Sequence, residues 1–168
     1  AIVATLNGRI EVATMAVALG GSLWGFVRYN FAPAKIFLGD AGSMFIGFLL
    51  GGLAVVGSYT GKNPLGFLAP GVMLGIPIFD TLLVIYSRLK KGTSPFKGSP
   101  DHFAIKLQGK GLSPRKVALL SYGVGGGLAG LGIGMMEAGS WKAVLGTSLL
   151  LLILAIWGII TIERMKGI

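Results

Sequence analysis

The chain has 168 residues, of which 53% are hydrophobic and only 12% charged, with a mean hydropathy of +0.78; this balance excludes a soluble globular domain and defines a membrane protein. The absence of cysteine excludes disulfides and thiolate-bound metals. The formal charge of +9 does not mark nucleic-acid binding, because the basic residues punctuate apolar runs and are not interleaved with aromatics along one surface.

In chain order, "AIVATLNGR" is a short apolar piece with no basic leader or cleavage site, and reads as the end of a helix cut from something longer. Apolar runs follow at about 10–28, 42–60, 65–87, 114–136 and 141–163, each near the roughly 20 residues that cross a bilayer as helix. The expectation is an all-α, polytopic transmembrane helix bundle: a single membrane domain over 1–168 with about five full spanning helices plus a short cytoplasmic loop helix. Small residues spaced four apart, in "GFLLGG" at 47–52 and at Gly126, Gly130 and Gly134, predict close helix contacts. Pro70 and Pro77 predict a kink or partial unwinding in the third run.

Short turns at 7–9, 60–66 and 137–140 fall on one side of the bundle, and the long polar connections on the other. The long-loop side carries twelve of the 15 Lys and Arg residues, and only Arg9, Lys62 and Lys142 face the opposite side. The positive-inside rule then puts the long loops and the C-terminus in the cytoplasm.

Two regions hold chemistry. In "AKIFLGDAGSMFIGFLL" a lone carboxylate, Asp40, stands at the mouth of an apolar helix. In "DTLLVIYSR", Asp80, Val84 and Arg88 are four apart and stack on one helical face. An ionisable group at such depth marks a functional site by default. The loop that follows, 88–113, has two Ser-Pro signals: Ser99-Pro100 predicts a helix over about 100–108 stopped by Gly109, and Ser113-Pro114 opens the next span. On that short helix His102 and Lys106 share a face, beside an apolar face of Phe103 and Leu107. The one histidine is too little for a metal site. With Arg88, Lys90, Lys91, Lys97 and Lys106 around it, the loop suits a phosphorylated ligand or anionic lipid headgroups. A small transporter and a lipid-binding structural membrane module are the rival classes, although the ionisable residues cluster at helix ends and not at midspan.

In this order, "NFAPAKIFLGDAGSMFIGFLL", "PIFDTLLVIYSR", "KGTSPFKGSPDH" and "GLSPR" resemble the C-terminal half of the polyprenyl-phosphate N-acetylhexosamine-1-phosphate transferases, glycosyltransferase family 4. This membrane family includes the phospho-N-acetylmuramoyl-pentapeptide transferase and the enzymes that start O-antigen and teichoic-acid linkage synthesis. The resemblance covers residues 1 to about 120 and implies transfer of a sugar 1-phosphate from a UDP-sugar to a polyprenyl phosphate, with Mg²⁺ and release of UMP, at the cytoplasmic face of the inner membrane. It implies a catalytic and metal-binding role for Asp40, a catalytic or phosphate-binding role for His102, and substrate contacts from Lys35, Phe37, Asp80, Arg88, Ser94, Asp101 and Lys106. Gly39 and Gly42 would let backbone approach the phosphates. The chain departs from the family in having one histidine where relatives have several, with Lys106 able to supply part of the charge. It also lacks the Asp-rich cluster of the family's N-terminal half. The reading is therefore of part of an active site, inactive alone and completed by a missing N-terminal half, in a possible homodimer. Asp40, Asp80, Arg88 and His102 are expected to converge on the cytoplasmic side.

Overall fold

The computed structural model of the chain describes residues 1–96 and 100–164, and every regular element among them is helical. In order these are α1 (Ile2–Leu6), α2 (Ile10–Asn30), α3 (Gly39–Val56), a 3-10 turn (Pro64–Leu68), α4 (Ala69–Met73), α5 (Gly75–Lys90), α6 (Phe103–Gln108), α7 (Pro114–Glu137) and α8 (Trp141–Arg164). Helices α2, α3, α7 and α8 are long and apolar enough to cross a membrane, and the bent pair Pro64–Met73 and Gly75–Lys90 makes a fifth candidate. Most of their large apolar side chains are exposed, Trp24, Phe48, Val55 and Trp157 among them. Without water in the hydrocarbon, exposed apolar surface of this kind faces lipid at no cost, while the helices satisfy their own backbone. The chain is a multi-pass membrane protein.

Two compact units divide the chain, Ala1–Gly61 and Lys62–Ile168. In the first unit, the Asn7 side-chain amide donates to the Ser58 carbonyl, so the turn before α2 and the turn after α3 share an end. At the other end the connection from α2 to α3 folds back on α2, with the Lys35 and Ile36 N–H groups donating to Tyr29 O at 2.8 and 3.4 Å. The Asn30 amide adds a bond to Ile36 O at 2.9 Å. Helix α3 starts three residues earlier than its apolar run suggests and ends at Val56 rather than near 60, because Gly57 turns extended (φ −65°, ψ 132°). Asp40 thus lies inside the first turn of α3.

In the second unit, Lys62 pairs with Glu137 and the Asn63 amide donates to Ala138 O at 3.1 Å. These contacts place the start of the bent pair at the C-terminal end of α7, and α5 ends beside α6, which leads into the N-terminus of α7. The pair therefore runs from one end of α7 to the other, as a helix broken in the middle. Its limbs meet at 70° across Leu74 (φ −92°, ψ 19°), between the two prolines that predict the kink. Pro77 sits in the first turn of α5, where its missing N–H has no helical acceptor to lose.

Glycines do line helix contacts, but at other positions than the four-residue spacing indicates. A Cβ on Gly132 would lie 2.6 Å from Met73 Cγ and 3.1 Å from Ala69 O, and one on Gly125 would meet Ile76 at 3.3 Å. Gly75 faces Leu128, and Gly158 faces Phe79. At Gly47, Gly51, Gly52, Gly126, Gly130 and Gly134 there is nothing within 4 Å among the described residues. The spacing is right for a helix face; the bend of α4 against α5 decides which face is used, since both limbs must reach α7.

Candidate functional site

The first candidate region lies in the first unit. Gly39 opens α3 with φ +67°, a backbone setting that L side chains rarely take. Gly42 sits against Leu38, whose side chain would collide with an added Cβ at 2.8 Å, so this glycine has a packing reason of its own. Asp40 is exposed, and its backbone carbonyl accepts from Ser43 Oγ at 2.9 Å. Its carboxylate has no partner among the described residues. A negative charge in the first turn favours the helix dipole, and the same group remains open to a cation. Phe37 is 81% exposed, and Lys35 is exposed beside it in the chain.

The second region, wholly in the second unit, is the corner made by the end of α5, the following loop and α6. Helix α5 stops where Gly92, at φ +67°, lets the chain turn back: the Gly92 and Thr93 N–H groups donate to the carbonyls of Leu89 and Arg88 at 3.1 and 3.0 Å. Inside this turn lies the Arg88 guanidinium, only 4% exposed, which donates to Ser94 O at 2.6 Å. Its Nε has no hydrogen-bond partner, and no carboxylate pairs with it among the described residues. A buried guanidinium left short of partners is costly, which makes Arg88 both the clasp of the loop and a reserve of positive charge.

Four contacts hold α6 and the two residues before it to α5 and its C-cap. Asp80 Oδ1 accepts the Phe103 N–H at 2.8 Å, and Asp80 Oδ2 lies 2.7 Å from His102 Nδ1. Lys106 Nζ donates to the fully buried Ser87 Oγ at 2.6 Å. Lys91 pairs with Asp101, which is itself buried. Asp80, Ser87 and Lys91 are spaced i, i+7 and i+11, one stripe of α5, and this is the face that meets α6. The stack of Asp80, Val84 and Arg88 read from sequence is the neighbouring stripe.

Two expectations change here. The loop helix starts at Phe103 with His102 as its N-cap residue, not near Pro100, because Asp80 reaches across from α5 to take the first free N–H. Ser99 and Lys97 lie outside the described residues. Gly109 stays right-handed at the C-cap (φ −57°), and the chain reverses at Gly111, whose φ is +88°. At the next span the Ser113 hydroxyl accepts the Lys116 N–H at 3.4 Å and Pro114 fills the first helical position, as the sequence indicates. His102 and Lys106 do share a face, joined through the Lys106 N–H to His102 O bond at 3.0 Å. Sequence reasoning missed Ser87 and Lys91 as tether points; the i, i+7, i+11 spacing with Asp80 was the available signal.

No group of three or more His, Asp or Glu residues is placed to hold a metal among the described residues. Asp80 and Asp101 are engaged by protein donors, whereas the carboxylates of Asp40 and Glu11 are exposed and without a partner among the described residues; of these two, Asp40 stands in the polar stretch that opens α3.

These features define a polytopic helical membrane protein with a free carboxylate, Asp40, at the entry of α3 and a basic, polar corner where α5 meets a loop helix. Residues 1–58 match the family model for glycosyl transferase family 4, and the chain belongs to this family. It is 34% identical over 125 residues to a probable undecaprenyl-phosphate N-acetylglucosaminyl 1-phosphate transferase of Bacillus subtilis, an alignment covering 74% of this chain and 35% of the relative. It is 37% identical over 122 residues to a decaprenyl-phosphate N-acetylglucosaminephosphotransferase of Mycolicibacterium smegmatis, covering 66% and 30%. With a phospho-N-acetylmuramoyl-pentapeptide-transferase of Clostridium botulinum the identity is 34% over 102 residues, covering 61% and 30%. The chain spans about a third of the length of the curated relatives it matches. No solved structure matches it.

Proposed function

We propose that the chain forms part of the active site of a transferase that moves an N-acetylhexosamine 1-phosphate from a UDP-sugar to a polyprenyl phosphate at the cytoplasmic membrane face, in cell-envelope polysaccharide synthesis. A phosphate oxygen of the lipid attacks the sugar-bearing phosphorus of the UDP-sugar. The bond to the bridging oxygen breaks, and UMP leaves with the electron pair. The observation that carries the reading is the corner of α5 and α6. It gathers His102, Lys106 and the buried Arg88 on one scaffold, as recognition of a diphosphate requires. The names of the relatives supply the lipid and the sugar class.

Phosphoryl transfer depends mainly on positioning and on charge placed where it develops. Lys106 would hold diphosphate oxygens, His102 would sit near the leaving phosphate, and Arg88 would keep the loop in place while adding to the field. Ser94 and Asp101 act through the loop they hold, and Lys35 and Phe37 would contact the nucleotide. Asp40 would hold Mg²⁺, whose charge neutralises phosphate oxygens when bound; a single exposed carboxylate suits an ion that keeps several of its other oxygen ligands from water and substrate. Residues outside this chain would complete the site, so the chain alone would bind without turning over. The C-terminus and the long loops would face the cytoplasm, and a homodimer would be compatible with this arrangement.

Thermal stability in nanodiscs, measured with UMP and UDP-N-acetylglucosamine with and without Mg²⁺, tests this. A rise in Tm that depends on nucleotide, and is larger with Mg²⁺, is expected. A Tm equal to that of the nucleotide-free protein in all four conditions would overturn the reading.

A further inference from the structure

The ring of His102 has a defined orientation that the proposed chemistry does not by itself require. An ionised carboxylate only accepts hydrogen bonds. Asp80 Oδ2 at 2.7 Å from Nδ1 therefore requires a proton on Nδ1, and Oδ1 is occupied by the Phe103 N–H at 2.8 Å. With both carboxylate oxygens engaged from one short segment, the imidazole is held at Nδ1 while its Nε2 has no partner among the described residues. The side chains of His102 and Asp80 are 50% and 23% exposed, so the carboxylate is the sheltered member and the ring edge faces outward. A second nitrogen fixed by its carboxylate partner is the general way in which a histidine is given one tautomer and one open position.

We infer that Asp80 is a positioning residue: it fixes His102 as the Nδ1–H tautomer and so presents Nε2 alone to a phosphate-bearing ligand. The neutral ring accepts at Nε2 a hydrogen bond from a ligand hydroxyl; once protonated, it donates there to a phosphate oxygen. This inference rests on the function proposed above only for the identity of the ligand. It differs from a substrate contact by Asp80, because both Asp80 oxygens already face the protein. Helix α6 inherits its starting point from the same carboxylate, so the orientation of His102 and the start of the helix are set together.

The chain contains a single histidine, so selective ¹⁵N-histidine labelling gives one ring to observe, with no assignment problem. The whole chain in nanodiscs, examined by solid-state NMR at a pH where the ring is neutral, is expected to show a protonated Nδ1 and an unprotonated Nε2. In Asp80→Asn the amide oxygen can still take the Phe103 N–H, and the amide nitrogen then faces Nδ1 as a donor. The ring is expected to switch to the Nε2–H form while α6 stays protected from hydrogen exchange. A wild-type ring in the Nε2–H form, or a spectrum unchanged by Asp80→Asn, would overturn the inference. Titration with UMP then separates the two ideas. A shift of the Nε2 signal in the wild type that is lost in Asp80→Asn supports both the ligand and the positioning. A ring that is Nδ1–H but does not respond to UMP counts against the proposed function and leaves the role of Asp80 standing.

Discussion

The entry of α3 and the corner of α5 and α6 use carboxylates in opposite ways. Asp40 stands exposed with no side-chain partner among the described residues, whereas Asp80 and Asp101 are each engaged by donors from neighbouring segments. A carboxylate saturated by protein donors has little left for a cation or a substrate, and its energy goes into geometry. One left open at a helix entry costs little there and can serve a ligand. The contrast separates an acid left open to a ligand from acids that place other residues, even though all three look alike as isolated acids in the sequence.

The sharpest break of that comparison is Asp40→Asn in the proposed transferase. If Asp40 holds Mg²⁺ as proposed, removing several kcal/mol of cation-borne charge stabilisation should lower turnover by roughly 10³-fold. Being exposed, the site should leave stability within about 0.5 kcal/mol. Steady-state transfer assays across Mg²⁺ concentrations, run beside a melting curve, check both halves; near-normal turnover would reduce Asp40 to a helix-entry residue.

Asp80→Ala should show the converse. Loss of the acceptor for the Phe103 N–H should cost about 1–3 kcal/mol. Hydrogen exchange should accelerate across α6 first. If exchange at α6 is unchanged, the carboxylate is not what holds that helix. Lys106→Ala lies between the two kinds of residue, since Lys106 reaches Ser87 and also carries a charge toward the proposed diphosphate. Its KM for the UDP-sugar should rise more than its kcat falls, by about 10-fold if roughly 1.4 kcal/mol of uniform binding is lost. The smallest effect belongs to Lys91→Ala. The Lys91 side chain is 55% exposed, so loss of its pair with Asp101 should cost only about 0.2–1 kcal/mol. That cost should shrink in high salt, as denaturation with and without added NaCl would show.

Much of the fold was legible because membrane helices are written in hydropathy and length. All five apolar runs reappear as α2, α3, the bent pair, α7 and α8, with ends shifted by a few residues. Ser113-Pro114 worked as a start signal because its capping is local. The start of α6 was misread because its cap comes from Asp80, twenty-three residues earlier, and no local pattern encodes a bond of that range. Packing glycines were misplaced for a related reason: spacing identifies a face, while Met73, Ala69 and Ile76 decide which face is used. In the candidate site, residue identities came from motif resemblance. The distinction between open and engaged acids came only from three-dimensional contacts.

The break at Leu74 bears on how the protein meets bilayers of different thickness. Helix α5 alone has 16 residues, a rise of about 24 Å against a hydrocarbon layer of about 30 Å. The limb before it is set at 70° to it. A straight helix meets a thickness mismatch by tilting as a rod, which would swing its polar end as well. Five residues lie between Leu74 and Asp80, so the bend and the carboxylate bonded to His102 occupy different turns of the same segment.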